Sequence, residues 1–168
     1  MKVGDRLAAL LLENGVDKVF GVPGGQTLPL YEGISKFQGA IEHVLMRDER
    51  SAGYAADAYA RMTGKAGVCM ATLGPGATNL ATPAAYAHLG GMPLIMITGQ
   101  KPIKKSKQGQ FQIIDVVGLF APICKMSKQI VHGNITAIAA KHERENRGTD
   151  KNHEYHTADF QRAARNLS

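Results

Sequence analysis

The strongest constraint on this chain is a repeating order: an apolar or β-branched run, a turn, then a helical stretch. Val3 to Asn14 carries apolar residues at 3, 7, 10 and 11, one face of a helix, and Gly15 stops it. Val16 to Val22 is a short β-rich run that ends in Pro23-Gly24-Gly25, where backbone must turn sharply or approach a ligand. Thr27 is placed to cap a second helix running through Phe37, with Pro29 tolerated in its first turn. Ile41 to Met46 reads as a strand, and Asp48 to Met62 as an Ala-rich helix closed by Gly64. Gly67 to Leu73 is continuously apolar, the pattern of a strand buried on both faces of a parallel sheet. Gly74-Pro75-Gly76 breaks it, Ala77 to Leu89 forms a small-residue helix, and Pro93 to Thr98 is a further apolar strand.

This alternation predicts an α/β fold: an open parallel sheet with helices on both faces. Ligands of such sheets bind beyond the carboxyl ends of the strands. Pro23–Gly25, Asp48–Arg50 and Gly74–Asn79 all fall there, so the topology draws three separate segments to one place. After Gln100 the stretch to Gly109, with Lys101, Lys104, Lys105 and Lys107, reads as an exposed loop. Phe111 to Phe120 has helical spacing, and Pro122 to Lys125 returns to an extended form. From Lys141 to Asn152 apolar residues almost vanish. The expected organisation is therefore one domain over residues 1–135 and a polar tail over 136–168 that adds little to the core.

The totals narrow the classes. A chain of 168 residues with 44% hydrophobic and 20% charged residues suits one globular domain. No apolar run nears the roughly 20 residues that span a bilayer, and the N-terminus enters an amphipathic pattern directly, so a cytoplasmic protein without membrane partners is expected. The net charge of +6 is dispersed outside the Lys101–Lys107 segment, and aromatic residues make up only 6%, which argues against a nucleic-acid surface. Cys69 and Cys124 form no C-x-x-C pair and read as buried, reduced thiols. His43 and His88 lack zinc-ligand spacing, and His153-Glu154-Tyr155-His156 falls short of H-E-x-x-H, so no metal site is expected on this chain.

Glu49 is the leading chemical candidate. It stands at a strand-to-helix junction among small residues (Ala52, Gly53, Ala55, Ala56) that let other backbone approach. A carboxylic acid in partly dry surroundings suits proton donation near neutral pH. The plainer reading is a helix-terminal acid, since negative charge is favourable in a first turn. Asp48 could fill that role and leave Glu49 free.

A set of ordered blocks then resembles a known family. Phe20-Gly21-Val22-Pro23-Gly24-Gly25, the run Arg47-Asp48-Glu49-Arg50 through Arg61, Thr72-Leu73-Gly74-Pro75-Gly76-Ala77-Thr78-Asn79, and Pro93 through Gln100 look like the opening blocks of thiamine-diphosphate enzymes. Phe111-Gln112 with Asp115, and Ala121 through Lys125, resemble the acetolactate synthase branch, so that the similarity spans about residues 3 to 135. The resemblance implies an N-terminal pyrimidine-binding domain with thiamine diphosphate as cofactor. It implies Glu49 as the glutamate that hydrogen-bonds the pyrimidine ring nitrogen and helps generate the reactive C2 carbanion. It implies that Val22, Pro23, Gly24, Thr72, Pro75 and Asn79 line the cofactor. Gly25, Gln100, Phe111, Gln112 and Lys125 would shape the entry for a small 2-oxo acid substrate. The implied reaction is decarboxylation of pyruvate and transfer of the two-carbon unit to a second 2-oxo acid.

Two departures matter. The acid that commonly follows the Phe-Gln pair in acetolactate synthases is replaced by Ile113. The Gly-Asp-Gly…Asn motif that holds the diphosphate through Mg2+ has no counterpart, since Gly4-Asp5-Arg6 is not one, and there is no room for the flavin (FAD) domain. A diphosphate-binding domain or subunit is therefore expected to complete the site, in a homo- or hetero-oligomer. A related 2-oxo acid decarboxylase subunit and a non-catalytic, truncated interaction module remain open readings. A dinucleotide-binding module fits less well: Gly21-Val22-Pro23-Gly24-Gly25 fails the G-x-G-x-x-G spacing, and Gly74-Pro75-Gly76-Ala77-Thr78-Asn79 lacks the final glycine.

Overall fold

The computed structural model describes residues 2–100 and 112–130. Strands β1 (Lys18–Gly21), β2 (Glu42–Leu45), β3 (Gly67–Ala71) and β4 (Leu94–Thr98) form a parallel sheet in the order β2-β1-β3-β4. Helices α1 (Val3–Glu13) and α2 (Leu28–Ser35) precede and follow β1. Helix α3 (Glu49–Thr63) links β2 to β3, α4 (Pro75–Asn79) and α5 (Ala81–Leu89) link β3 to β4, and α6 (Val116–Phe120) follows. The chain runs outward from β1 to β2, then returns to lay β3 on the other side of β1. That reversal opens a crevice above β1 and β3, the place where sheets of this kind receive ligands.

Successive strand side chains point to opposite faces, so each strand feeds two cores. Val19, Val68 and Met70 join Ala8, Leu11, Leu30 and Ile34 beneath α1 and α2. Phe20, Cys69 and Ala71 join Ala52, Ala56, Leu80, Ala84 and Phe120 beneath α3, α5 and α6. All five residues of β3 are buried, as its unbroken apolar run requires. Each Val, Leu or Met buried in this way contributes about 1.5–3 kcal/mol. The expected fold class is therefore the observed one.

Where elements differ from expectation, the hydrogen bonds say why. Val16 is not part of β1, because its N–H closes α1 on Leu11 O while Gly15, at φ 75°, donates to Leu12 O. This is a Schellman ending, sealed by burial of Val16 beside Leu11. The helix expected over 77–89 is two helices joined at Leu80. Pro83 cannot donate to the Asn79 carbonyl, and it is tolerated as the third residue of α5, where an N–H would lack a partner anyway. The helix expected from Phe111 is shorter and starts at Val116, because the Asp115 side chain accepts from Gly118 N at 2.8 Å and fixes the first turn. Pro122 to Lys125 forms no strand, and Ile123 N turns back to Phe120 O.

Cys69 is fully buried, which pushes its thiol up to about 12, while Cys124 is only half-buried. Among the described residues no helix is long and apolar enough to cross a membrane, and no cluster of His, Cys, Asp and Glu could hold a metal ion. Phe111, the Lys101–Lys107 segment and the tail over 136–168 lie outside the described residues.

Candidate functional site

Each of the four strands delivers a loop to the same end of the sheet. β1 ends at Gly21 and continues into Val22-Pro23-Gly24-Gly25; β2 ends at Leu45 and leads through Asp48 into α3. β3 ends at Ala71, followed by Thr72 and the Gly74-Pro75-Gly76 turn, and β4 ends at Thr98, followed by Gly99 and Gln100. Gly74 adopts φ 60°, ψ −124°, a conformation that L side chains rarely reach, and it aims α4 back across the strand ends.

Asp48 caps α3. It is extended, and its carboxylate accepts from Arg50 N at 2.9 Å and Ser51 N at 3.2 Å. The Arg50 side chain closes on the same carboxylate with two further bonds, of 3.1 and 3.0 Å. The Arg50 guanidinium, ahead of the backbone donors, holds the Asp48 carboxyl below its ordinary range. Glu49, the first residue of the helix, is thereby relieved of capping, and Arg50 is engaged by Asp48 rather than by Glu49.

The Glu49 side chain is half-buried and reaches α4, where Asn79 Nδ2 donates to Oε2 at 2.9 Å. Gly76 lies one turn earlier on α4. A Cβ added there would stand 3.1 Å from Glu49 Oε1 and 2.9 Å from Thr72 Cγ2. Thr72 in turn faces the β1 loop, and a Cβ on Gly24 would fall 2.6 Å from Thr72 Oγ1. Glu49, Asn79, Gly76, Thr72 and Gly24 thus form one continuous lining across the crevice between β1 and β3. Thr27 holds its near wall. It sits in helical rather than extended dihedrals and makes no cap; instead its hydroxyl donates to Gly24 O at 2.9 Å.

The remaining expected residues take peripheral places. Val22, Pro23 and Gly25 share the β1 loop with Gly24, and Pro75 opens α4 in an exposed position. Gln112 packs against the turn: its Cβ lies where a Gly74 side chain would start, at 2.7 Å, and its own φ of 59° is uncommon for a residue other than glycine. Gln100 Nε2 donates to Ile114 O at 3.3 Å, tying the end of β4 to the same connection. Lys125 is exposed on the segment after α6. Two contributors were given no individual role by the sequence reading. Gly76 belongs to the carboxylate's immediate surroundings, and Pro75 is the signal that shows it: proline favours the first position of a helix, and a helix begun there puts Gly76 and Asn79 on one face. Gln26, whose Cβ lies 2.7 Å from the point where a Gly99 side chain would start, has no comparable signal.

The groups present are of the kind an aminopyrimidine ring would take: a carboxylate for a ring nitrogen and glycines that leave its faces open. Two glycines leave floor and wall without side chains, and the carboxylate has one oxygen committed to Asn79 and the other toward Gly76.

Comparison with known proteins gives the family. The family model for the thiamine pyrophosphate enzyme, N-terminal TPP binding domain, matches residues 1–119. An acetolactate synthase of Arthrospira platensis is 50% identical over 119 residues, which cover 70% of this chain and 21% of the relative. A probable acetolactate synthase large subunit of Methanocaldococcus jannaschii is 45% identical over 130 residues, covering 77% and 22%. An acetolactate synthase large subunit of Lactococcus lactis subsp. lactis is 47% identical over 120 residues, covering 71% and 21%. The chain spans about a fifth of the length of these relatives. It belongs to the thiamine pyrophosphate enzyme family and carries that family's N-terminal TPP binding domain.

Proposed function

We propose that this chain provides the pyrimidine-binding half of the active site of an acetolactate synthase-type carboligase, with Glu49 as its proton-handling group. One observation carries the reading: the carboxylate stands at the reversal point of the sheet, released from capping by Asp48 and held between Asn79 and Gly76. Val22, Pro23 and Gly24 would bound the pyrimidine from β1, and Thr72 and Pro75 from β3. When bound, thiamine diphosphate supplies the nucleophilic carbon that takes up the two-carbon unit of a 2-oxo acid.

The protein's own part is positional and electrostatic. Glu49 Oε1 holds or accepts a proton at the ring nitrogen. The small residues around it keep water away from that exchange, where an interaction of this kind is stronger than in solvent. Gln100 and Gln112, with Phe111, Gly25 and Lys125, would shape the substrate side. The diphosphate and its Mg2+ are assigned to a second domain or subunit, and any flavin belongs to the complete assembly.

The test combines the full chain with the diphosphate-binding region of a matching acetolactate synthase and follows pyruvate consumption. Turnover that Glu49→Gln abolishes, at unchanged thermal unfolding, supports the reading. Turnover indifferent to Glu49→Gln, or none with any such region, overturns it.

A further inference from the structure

We infer that Asn79 is the positioning residue of Glu49, and that it decides which carboxylate oxygen carries the exchangeable proton. The inference rests on the reading of Glu49 as the group that meets the pyrimidine nitrogen. Its geometric basis is a bond that joins two elements 30 residues apart, from Asn79 Nδ2 on α4 to Glu49 Oε2 at the start of α3, 2.9 Å long.

A protonated carboxyl carries its hydrogen on one oxygen only. The oxygen that already accepts an amide N–H behaves as the carbonyl oxygen, and the hydrogen settles on the other. With Asn79 on Oε2, the hydrogen belongs on Oε1, the oxygen against Gly76 and across the crevice from Gly24. With Glu49 ionised, the opposite orientation of the amide would set Asn79 Oδ1 against a carboxylate oxygen, two acceptors without a hydrogen between them, so the amide presents Nδ2. In the ionised form the same N–H makes a charge-assisted bond, about twice as strong as a neutral one, and holds the side chain in place through both halves of a proton transfer.

Nothing charged on α4 competes, since its residues are Pro, Gly, Ala, Thr and Asn. The β1 loop from Val22 to Thr27 is uncharged. On α3 the neighbouring charges, Asp48 and Arg50, are paired with each other, and Arg50 feels Glu49 only through charge, as the smallest of the effects on it. Asn79 is thus the polar partner that the structure gives Glu49.

The test uses the full chain and 4-amino-5-hydroxymethyl-2-methylpyrimidine, the ring half of the cofactor, with affinity measured by NMR titration from about pH 5 to about pH 8. Asn79→Leu, similar in size but without a donor, should bind about tenfold more weakly throughout. Asn79→Asp should approach wild-type affinity at the acid end, where its own carboxyl carries a hydrogen and can donate to Oε2. It should lose affinity by about tenfold as the pH rises and the second carboxylate ionises. That new pH dependence is what a purely structural asparagine would not produce, and circular dichroism of each variant checks the fold.

If Glu49→Gln weakens binding while both Asn79 variants track the wild type at every pH, the role of Asn79 is overturned and that of Glu49 stands. If the wild-type chain does not bind the ring, or Glu49→Gln binds it equally well, the reading of Glu49 falls and the inference with it.

Discussion

Gly76 owes its lack of a side chain to Glu49: a methyl group there would stand 3.1 Å from Oε1 and 2.9 Å from Thr72 Cγ2. Both distances are shorter than comfortable contact, and Thr72 is itself held against Gly24. The Thr72 contact is the tighter of the two, so the start of α4 and the carboxylate would both have to shift.

Gly76→Ala should therefore separate stability from binding. Alanine is the better helix former by about 1 kcal/mol, which offsets part of the crowding cost of about 1–3 kcal/mol. The urea midpoint should shift little, while affinity for the aminopyrimidine falls about tenfold. An equilibrium denaturation curve beside a ligand titration reads both, and retained affinity would show that Oε1 does not face the ligand.

Packing between α3 and α5 depends on a second close approach. A Cβ at Gly53 would overlap the Pro83 ring, lying 2.7 Å from its Cβ, and Pro83 is among the most deeply buried side chains. Gly53→Ala should lower stability by about 1–3 kcal/mol. Pro83→Ala in the same chain should restore part of the loss, so the two effects are not additive. A four-member denaturation cycle measures the coupling, and simple additivity would place the strain elsewhere.

Stability should also depend on pH through His43. Its ring meets Tyr31 edge-on, with centroids 4.6 Å apart. Its Nε2 and the Tyr31 hydroxyl are both buried without a partner among the described residues. Burial lowers the His43 pKa against a smaller opposing effect of the Gly21 backbone, and pushes Tyr31 up to about 12. The unfolded chain then binds a proton at His43 more readily than the folded one, so stability is full above about pH 6.5 and declines as pH falls below it. His43→Phe should flatten that part of the profile, as read from urea midpoints at about pH 7 and about pH 5. An unchanged slope would assign the effect to another group.

The sheet, its two faces and the meeting of three loops were legible because the alternation of strands with helices, the glycine turns at strand ends and the apolar run from Gly67 to Leu73 all point one way. Local patterns were less reliable where a hydrogen bond outside the pattern decides. Val16 looks like a strand residue, yet its N–H seals α1 on Leu11 O. The stretch 77–89 looks like one helix until Pro83 is asked for the N–H it lacks. The bond from Asn79 to Glu49 spans 30 residues, and no spacing rule announces which oxygen it takes.

The division of labour between two adjacent acids gives the sharpest contrast available at the site. Asp48 satisfies the N–H groups of Arg50 and Ser51 and holds the Arg50 guanidinium, while Glu49 makes no cap and turns toward α4. Asp48→Ala should cost about fivefold in the folding equilibrium, as loss of an N-cap does, and leave ring binding within about twofold once the fraction folded is allowed for. Glu49→Gln should do the reverse. Because Asp48 titrates below its ordinary range, its contribution is present above about pH 4 and fades as acid protonates it. In Asp48→Ala the wild-type loss of stability below about pH 4 should therefore shrink. Parallel melting curves and ring titrations of the two variants measure the contrast. If Asp48→Ala lost ring affinity while Glu49→Gln kept it, the roles of the two acids would be exchanged.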